Sequence, residues 1–265
     1  MAEGGGRFDE ILSETYVRTL FSRIHASTPE EFESYARHCL ACYAPLLPAD
    51  RAAPILDLGC GMGHFLYFLK QQGYTGHWGI DSGADQVAFC RERVTDRVER
   101  TTDTVGYLRD RPGRFAAIVC NDVLEHLADE ALFPLLDAVR GALAPGGRLI
   151  ASVPNAACIT ALTTRYADLT HKRLFTEGSL TQLLLSAGFE DVRLYPREQR
   201  VVREHRSRLH AWAWRARERF ARFMLAELHR HLMEGAMPQV LSINLLCSAE
   251  RGGAPPHSER RTPAR

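Results

Sequence analysis

The segment Ile55-Leu56-Asp57-Leu58-Gly59-Cys60-Gly61-Met62-Gly63-His64-Phe65-Leu66 holds the residues whose types and spacing point most clearly to chemistry. An apolar run enters a glycine-rich turn, and the turn opens a helical pattern. Glycine is required where backbone takes a positive φ or approaches a ligand with no Cβ in between. A dinucleotide fingerprint needs G-x-G-x-x-G; counted from Gly59, its third glycine falls on His64. The spacing here is G-x-G-x-G, so the NAD pattern fails at one required position. A second apolar run ends at Gly79-Ile80-Asp81, twenty positions beyond Gly61. An acid there can accept hydrogen bonds from both ribose hydroxyls of a nucleoside, which suits NAD and S-adenosylmethionine equally. Asp103, after a third and weaker run, could take an adenine amino group. Both acids could instead cap the helices that follow them.

Such residues work only in a frame that sets successive apolar runs side by side. Runs at 55–58, 77–80, 97–100, 115–120 and 148–153 read as strands, with helical patterns at 65–72, 85–93, 105–110 and 129–143 between them. Strand and helix alternating in this way predict an α/β, doubly wound parallel sheet. Two helices are expected ahead of it, at 8–24 and 28–46, the second opened by Thr28 as N-cap and Pro29 at the first helical position. Beyond residue 153 come a polar loop (155–172) with one helical turn near 160–164, a helix at 176–187 and a strand at 190–195. A long helix at 205–234 follows, with Leu209, Trp212, Ala216, Phe220, Phe223, Leu228 and Leu232 on one stripe. An alternating strand at 240–249 closes the pattern. The expected organisation is a helical cap (1–49), one principal domain (50–249) with a helical insertion at about 197–238, and a disordered tail (250–265).

Composition narrows the class. The 265 residues are 45% hydrophobic and 25% charged with a formal charge of +1, so the chain can build a core and has no general bias toward nucleic acid. No run of about 18 apolar residues is present for a membrane span, and the first residues lack the pattern of a secretory signal. Seven scattered cysteines fit reduced thiols rather than a disulfide framework. A cytoplasmic location is expected. The neutral total hides one basic stretch: residues 197–231 hold ten Arg and four Glu, +6 in all, which leaves −5 elsewhere. That face could meet an anionic membrane or a lipid-linked acceptor, cover the sheet edge, or form a homodimer contact.

Taken together, 55–63, 79–81, 115–127 and 143–155 resemble, in order and spacing, the successive motifs of class I S-adenosylmethionine-dependent methyltransferases, over about residues 50–195. The resemblance implies a Rossmann-like, seven-stranded sheet with one antiparallel strand, for which 240–249 is the candidate, plus an N-terminal helical lid and a helical insertion before the last strand. It implies that Gly59, Gly61 and Gly63 hold the methionine part of S-adenosylmethionine, Asp81 the ribose, and Asp103 with Thr104 the adenine edge. Asn121 and Asp122 would lie beside the sulfonium, and Asp57, Cys60 and Ser82 complete the cofactor set. This cofactor has no phosphate, and the glycine turn has no Lys or Arg.

The segment Asn121-Asp122-Val123-Leu124-Glu125-His126 lacks the Pro-Pro-aromatic sequence of enzymes that methylate base amino groups. With 165–176 and 179–189, it is similar to methyltransferases of bacterial surface-polysaccharide and glycan biosynthesis. It is more distantly similar to ubiquinone-biosynthesis O-methyltransferases. Both comparisons imply an oxygen acceptor: a glycan or activated-sugar hydroxyl first, a phenolic or quinone precursor or other small natural product as the alternative. A catalytically inactive cofactor-binding partner subunit is the alternative of another class. A hydroxyl must lose a proton during transfer, and His171, in the polar loop, is the first candidate base. It could otherwise pin its loop to backbone. His126 is the second candidate, with Tyr166, Asp168 and Asn155 as orienting groups. Asp122 has no matching acid and Asn partners at later positions, so no metal is expected.

Overall fold

The computed structural model describes residues 28–197, 208–232 and 238–252. The helix expected at 8–24 and the tail beyond 252 lie outside the described residues. Seven strands form one sheet: β1 (Ile55–Leu58), β2 (His77–Asp81), β3 (Val98–Arg100), β4 (Phe115–Asn121), β5 (Leu143–Pro154), β6 (Phe189–Arg197) and β7 (Asn244–Arg251), in the order β3-β2-β1-β4-β5-β7-β6. The first five run parallel, and β7 is antiparallel to both neighbours. This is the expected Rossmann-like sheet with its single reversed strand. The described helices are α1 (Pro29–Cys42), α2 (His64–Gln71), α3 (Ala84–Arg93), α4 (Thr104–Arg109), α5 (Asp129–Ala142), α6 (Ala161–Ala167), α7 (Glu177–Ser186) and α8 (Arg208–Leu232). None is long and apolar enough to cross a membrane.

Alternation along the strands builds two cores, because successive side chains point to opposite faces. Leu56, Ile118, Cys120 and Leu149 face one side with Leu108, Leu136 and Leu180. Ile55, Val119 and Ile150 face the other with Phe32, Phe68 and Val87. Helices therefore cover both faces, which is why the central strands read as short apolar runs, broken in β1 only by Asp57. Strand β1 lies between β2 and β4. The order reverses at that point, and in an open α/β sheet the ligand crevice forms there, outside the carboxyl ends of the strands.

Several boundaries differ from expectation for physical reasons. Strand β5 starts at Leu143, where Leu143 pairs with Phe115, rather than after the Pro145-Gly146-Gly147 turn signal. Strand β7 starts at Asn244 instead of 240, because Asn155 Nδ2 takes the carbonyls of Val240 and Ser242 (2.9 Å each) and wraps that segment round itself. It ends at Arg251, inside the segment expected as tail. The turn near 160–164 is a full short helix, α6. Helix α8 confirms the insertion before the last strand, yet Trp212, Phe220 and Phe223 of its stripe are exposed and do not cover the sheet. The side chains of Leu209 and Leu232 lie outside the described set.

Candidate active site

The glycine turn leaves the carboxyl end of β1 with Gly59, Gly61 and Gly63 at φ of 76°, 53° and 89°. A Cβ on Gly59 would stand 2.6 Å from Val123 Cγ2, and one on Gly63 2.5 Å from Cys90 Sγ, so larger residues fail on both backbone and space. The N–H groups of Gly59 and Cys60 donate to Ile80 O (2.9 and 3.0 Å), fastening the turn to β2. The Cys60 thiol lies toward Gly79 of that strand.

Asp81, ending β2, joins two loops. Its Oδ2 accepts from Gly61 N and its Oδ1 from Gly83 N, both at 2.8 Å. Burial raises its pKa, and these backbone donors oppose the rise. Ser82 lies between them, its carbonyl accepting from Arg100 Nε (3.0 Å). Beneath the turn, Asp57 is 2% exposed and its Oδ2 has no hydrogen-bond partner. Burial, followed by the nearby Asp81 charge, pushes its carboxyl up to about 8. Asp103 is the N-cap of α4, with Oδ1 accepting from Gly106 N at 2.8 Å, and Thr104 opens that helix.

At the end of β4 the two polar neighbours part. Asn121 Oδ1 accepts from the Tyr43 hydroxyl (2.7 Å), while its buried Nδ2 has no partner. Asp122, at φ 54°, turns its carboxylate toward β5, β6 and β7. There it accepts from Arg197 Nη1 (3.0 and 2.8 Å), Asn244 Nδ2 (3.0 Å) and Ser152 Oγ (3.3 Å). Of the pair expected beside the sulfonium, Asn121 keeps an open donor and Asp122 is committed to Arg197. Arg197, one of the ten Arg of the basic stretch, is no surface charge: it is buried, 7% exposed. Its Nη2 also donates to the Tyr35 hydroxyl (3.4 Å). Helix α1 lies over this region as the expected lid. Phe32 stacks on His64 with ring centroids 4.1 Å apart, and Tyr43 packs edge-on against Phe65. His38, on the same helix, is pushed down to about 4 by burial and then by Arg197.

A second cluster follows β4 directly. Glu125 and His126 lie in the short turn Leu124–His126, and the backbone carbonyl of Glu125 accepts from Lys172 N (2.7 Å), drawing the polar loop onto it. His126 and His171 bring their ring centroids to 4.8 Å. His126 Nδ1 lies 2.8 Å from Thr170 Oγ1, whose hydroxyl donates to Asp168 Oδ1 (2.6 Å). His171 Nδ1 lies 3.0 Å from Thr164 O, and its Nε2 lies 3.8 Å from Asp168 Oδ2. Burial, then His171, lowers the His126 pKa. Glu125 is fully buried, neither carboxylate oxygen has a hydrogen-bond partner, and burial with Asp122 nearby holds its pKa well above the carboxylate range. No metal is expected from the sequence, yet the structure gathers Glu125, His126 and His171 so that one ligand-type atom from each lies within 4.8 Å of the others. Tyr166 stands out in solvent beneath Arg165, and Asn155 is spent on backbone.

A family model described as a methyltransferase domain matches residues 32–194, which contain both clusters. The chain belongs to this family. Among solved structures, a methyltransferase dependent on S-adenosylmethionine from Archaeoglobus fulgidus superposes with a TM-score of 0.64 at 20% identity, covering 88% of this chain and 99% of that one. The 1,6-didemethyltoxoflavin N1-methyltransferase of Burkholderia thailandensis, solved with S-adenosylhomocysteine, gives 0.56 at 21% identity, covering 94% and 90%. These likenesses show the class I methyltransferase fold; membership of the methyltransferase family carries the cofactor, S-adenosylmethionine. In sequence, a ubiquinone biosynthesis O-methyltransferase of Xylella fastidiosa is 34% identical over 111 residues, 39% of this chain and 42% of that one. A probable S-adenosylmethionine-dependent methyltransferase of Mycobacterium tuberculosis is 27% identical over 175 residues, 60% and 56% of the two chains. The chain thus spans about half the length of the curated relatives it matches.

The residues present fit the cofactor. Asp57 offers a buried carboxyl with an unpartnered oxygen to a cationic amino group, the three glycines leave the turn without Cβ atoms, and Asn121 offers a buried donor. An open cleft lined by Pro54, His77, Trp78, Arg97 and Tyr107 lies at the amino ends of the strands, away from all of these groups.

Proposed function

We propose that this methyltransferase-family chain transfers a methyl group from S-adenosylmethionine to a hydroxyl, that of a glycan or activated sugar. The observation that carries the reading is the imidazole pair His126–His171, with His126 in the turn that follows the Asn121 end of β4 and His171 in the polar loop drawn onto Glu125. Bound S-adenosylmethionine supplies a methyl group made electrophilic by a sulfonium. Asp57 counters the charge of the amino group, Asp81 takes the ribose with oxygens already aligned by Gly61 and Gly83, and Asn121 Nδ2 donates toward the ligand. Asp103 and Thr104, at the start of α4, are the residues proposed at the adenine edge. Phe32 on α1 and Tyr43 at its C-terminal cap keep water from the crevice. Holding the acceptor oxygen in line supplies much of the rate, and the hydroxyl proton leaves at the imidazole pair.

The resemblance of 165–176 to glycan methyltransferases favours a sugar. The ubiquinone-biosynthesis relative supports an oxygen acceptor and makes a phenol the alternative. Exposed Trp212, Phe220 and Phe223 beside Arg217 and Arg219 on α8 suit a lipid-linked, anionic acceptor met at the cytoplasmic membrane surface. Formation of S-adenosylhomocysteine against matched panels of sugars and phenols tests the reading. Turnover of a sugar, reduced about 100-fold or more in His171→Gln, is expected, in line with the usual weight of acid–base catalysis. Turnover of phenols alone overturns the sugar reading, and no turnover by a chain that binds S-adenosylhomocysteine favours the inactive partner subunit.

A further inference from the structure

We infer that Tyr43 and Asn121 form a specificity-determining pair that selects a hydroxyl, and not an amine, as the methyl acceptor. The Tyr43 hydroxyl holds the Asn121 amide so that its side chain offers the crevice a hydrogen-bond donor. The inference rests on the proposed function, in which Asn121 Nδ2 donates toward the ligand, and names the atom that takes that donor: the acceptor oxygen.

The orientation of the amide follows from its partners. Tyr43, at the C-terminal cap of α1, is 0% exposed, and its hydroxyl lies 2.7 Å from the Asn121 amide. That is the separation of an O–H···O bond; an N–H donating to the phenol would stand at about 2.9–3.0 Å. Ser152 Oγ, the other hydroxyl near the phenol, gives its proton to Asp122 Oδ1 (3.3 Å) and accepts from Arg197 Nη1. The proton of Tyr43 therefore goes to Asn121 Oδ1. Because the amide is planar, turning Oδ1 to α1 turns Nδ2 away from it, and Nδ2 is left buried without a partner. A buried donor in that state is costly until a ligand atom accepts from it. The neighbouring carboxylate does not reverse this polarity. Asp122 Oδ1 takes Arg197, Asn244 and Ser152, and Oδ2 takes Arg197, whose buried charge answers its own.

The strand register sets the amide beside the cofactor turn. Leu58 of β1 pairs with Cys120 of β4, so Asn121 comes level with Gly59, the first glycine of the turn. Val123 Cγ2 closes on the same glycine, 2.6 Å from where a Cβ would stand. A sulfonium is a cation and gains nothing from an N–H. A hydroxyl oxygen has two lone pairs. One accepts from Asn121 Nδ2, and the other forms the O–C bond as the S–C bond breaks and its electron pair stays on sulfur; the hydroxyl proton leaves at the imidazole pair. A neutral amine has a single lone pair. Accepting from Nδ2 occupies it, and a pair so occupied cannot attack carbon.

The test uses the full chain and two ligands that differ where the methyl group is carried: S-adenosylhomocysteine, and sinefungin, which bears an ammonium there. Both are titrated calorimetrically. Their other contacts are shared, so the ratio of the two affinities reports the polarity of Asn121 and cancels any general loosening of the site. Tyr43→Phe frees the amide to turn its oxygen to the ammonium, and Asn121→Asp replaces the donor with an acceptor. Each is expected to shift the ratio toward sinefungin about 10-fold or more, the weight of one charge-assisted hydrogen bond. With matched hydroxyl and amino sugars, the parent is expected to turn over the hydroxyl compounds and Asn121→Asp to admit the amines. Should Asn121→Asp fail to fold, Tyr43→Phe decides; should no sugar be turned over, the affinity ratio decides. An unmoved ratio in the folded variants, or amines preferred by the parent, overturns the pair and leaves cofactor binding standing. A parent that binds neither ligand overturns the proposed function itself.

Discussion

Asp57→Asn separates what the fold needs from what a ligand needs. The carboxyl is 2% exposed, and burial with the Asp81 charge behind it pushes its pKa up to about 8, against about 3.9 in an unfolded chain. Between those values the unfolded chain has released the proton and the fold retains it. Stability from this group is therefore complete below about pH 4, falls as pH rises toward the folded value, and then levels. At about 1.4 kcal/mol per unit, a climb from about pH 5 to about pH 8 removes about 4 kcal/mol. Asparagine has no proton to lose, so the variant loses that slope. Urea unfolding of both proteins without cofactor, at the two ends of this range, measures the difference directly. S-adenosylhomocysteine affinity is expected to fall about 10-fold or more in the variant, because a charge-assisted contact to the amino group is gone. Parallel pH dependences in the two proteins would refute the assignment of a protonated, ligand-directed Asp57.

Gly59→Ala meets both a positive φ and Val123, so a loss of at least about 1–2 kcal/mol in thermal unfolding is expected, with weaker cofactor binding. Arg197→Met strips the buried partner from Asp122; breaking such a pair costs about 3–5 kcal/mol, and the part-exposed Asp122 carboxylate places this one toward the lower end. Chemical denaturation measures it, and adding Asp122→Asn is expected to recover part of the loss. His38 lies at about 4, below its unfolded value. It is expected to stay neutral in an NMR titration down to about pH 5, and its contribution to stability falls as pH drops from about 6.5 toward its folded value.

The strands at the crevice were legible because β1, β2 and β4 are short apolar runs ending in Asp57–Gly63, Asp81 and Asn121. The start of β5 was not, since Pro145-Gly146-Gly147 reads as a local turn and only the pairing of Leu143 with Phe115 makes it strand. The capping role of Asp103 is legible because its bond to Gly106 N spans three residues and local spacing suffices. Arg197 escaped because charge counting cannot tell a buried cation from nine others nearby, and Asp122 lies 75 positions away. Glu125 escaped for a related reason. Its burial depends on Lys172 N and Arg173 N closing the polar loop onto its backbone carbonyl, a long-range contact with no local pattern. The proximity of the two histidines has no local signal either, because it depends on Thr164, Thr170 and Asp168 holding the rings.

Nothing bears on the crevice more closely than calorimetric titration of the full chain with S-adenosylhomocysteine, beside NAD in a parallel experiment. One-site binding of S-adenosylhomocysteine, no response to NAD, and loss of binding in Asp81→Ala are predicted. A chain that ignores S-adenosylhomocysteine, or binds it equally well without Asp81, contradicts the assignment of this glycine turn and its acids to the cofactor.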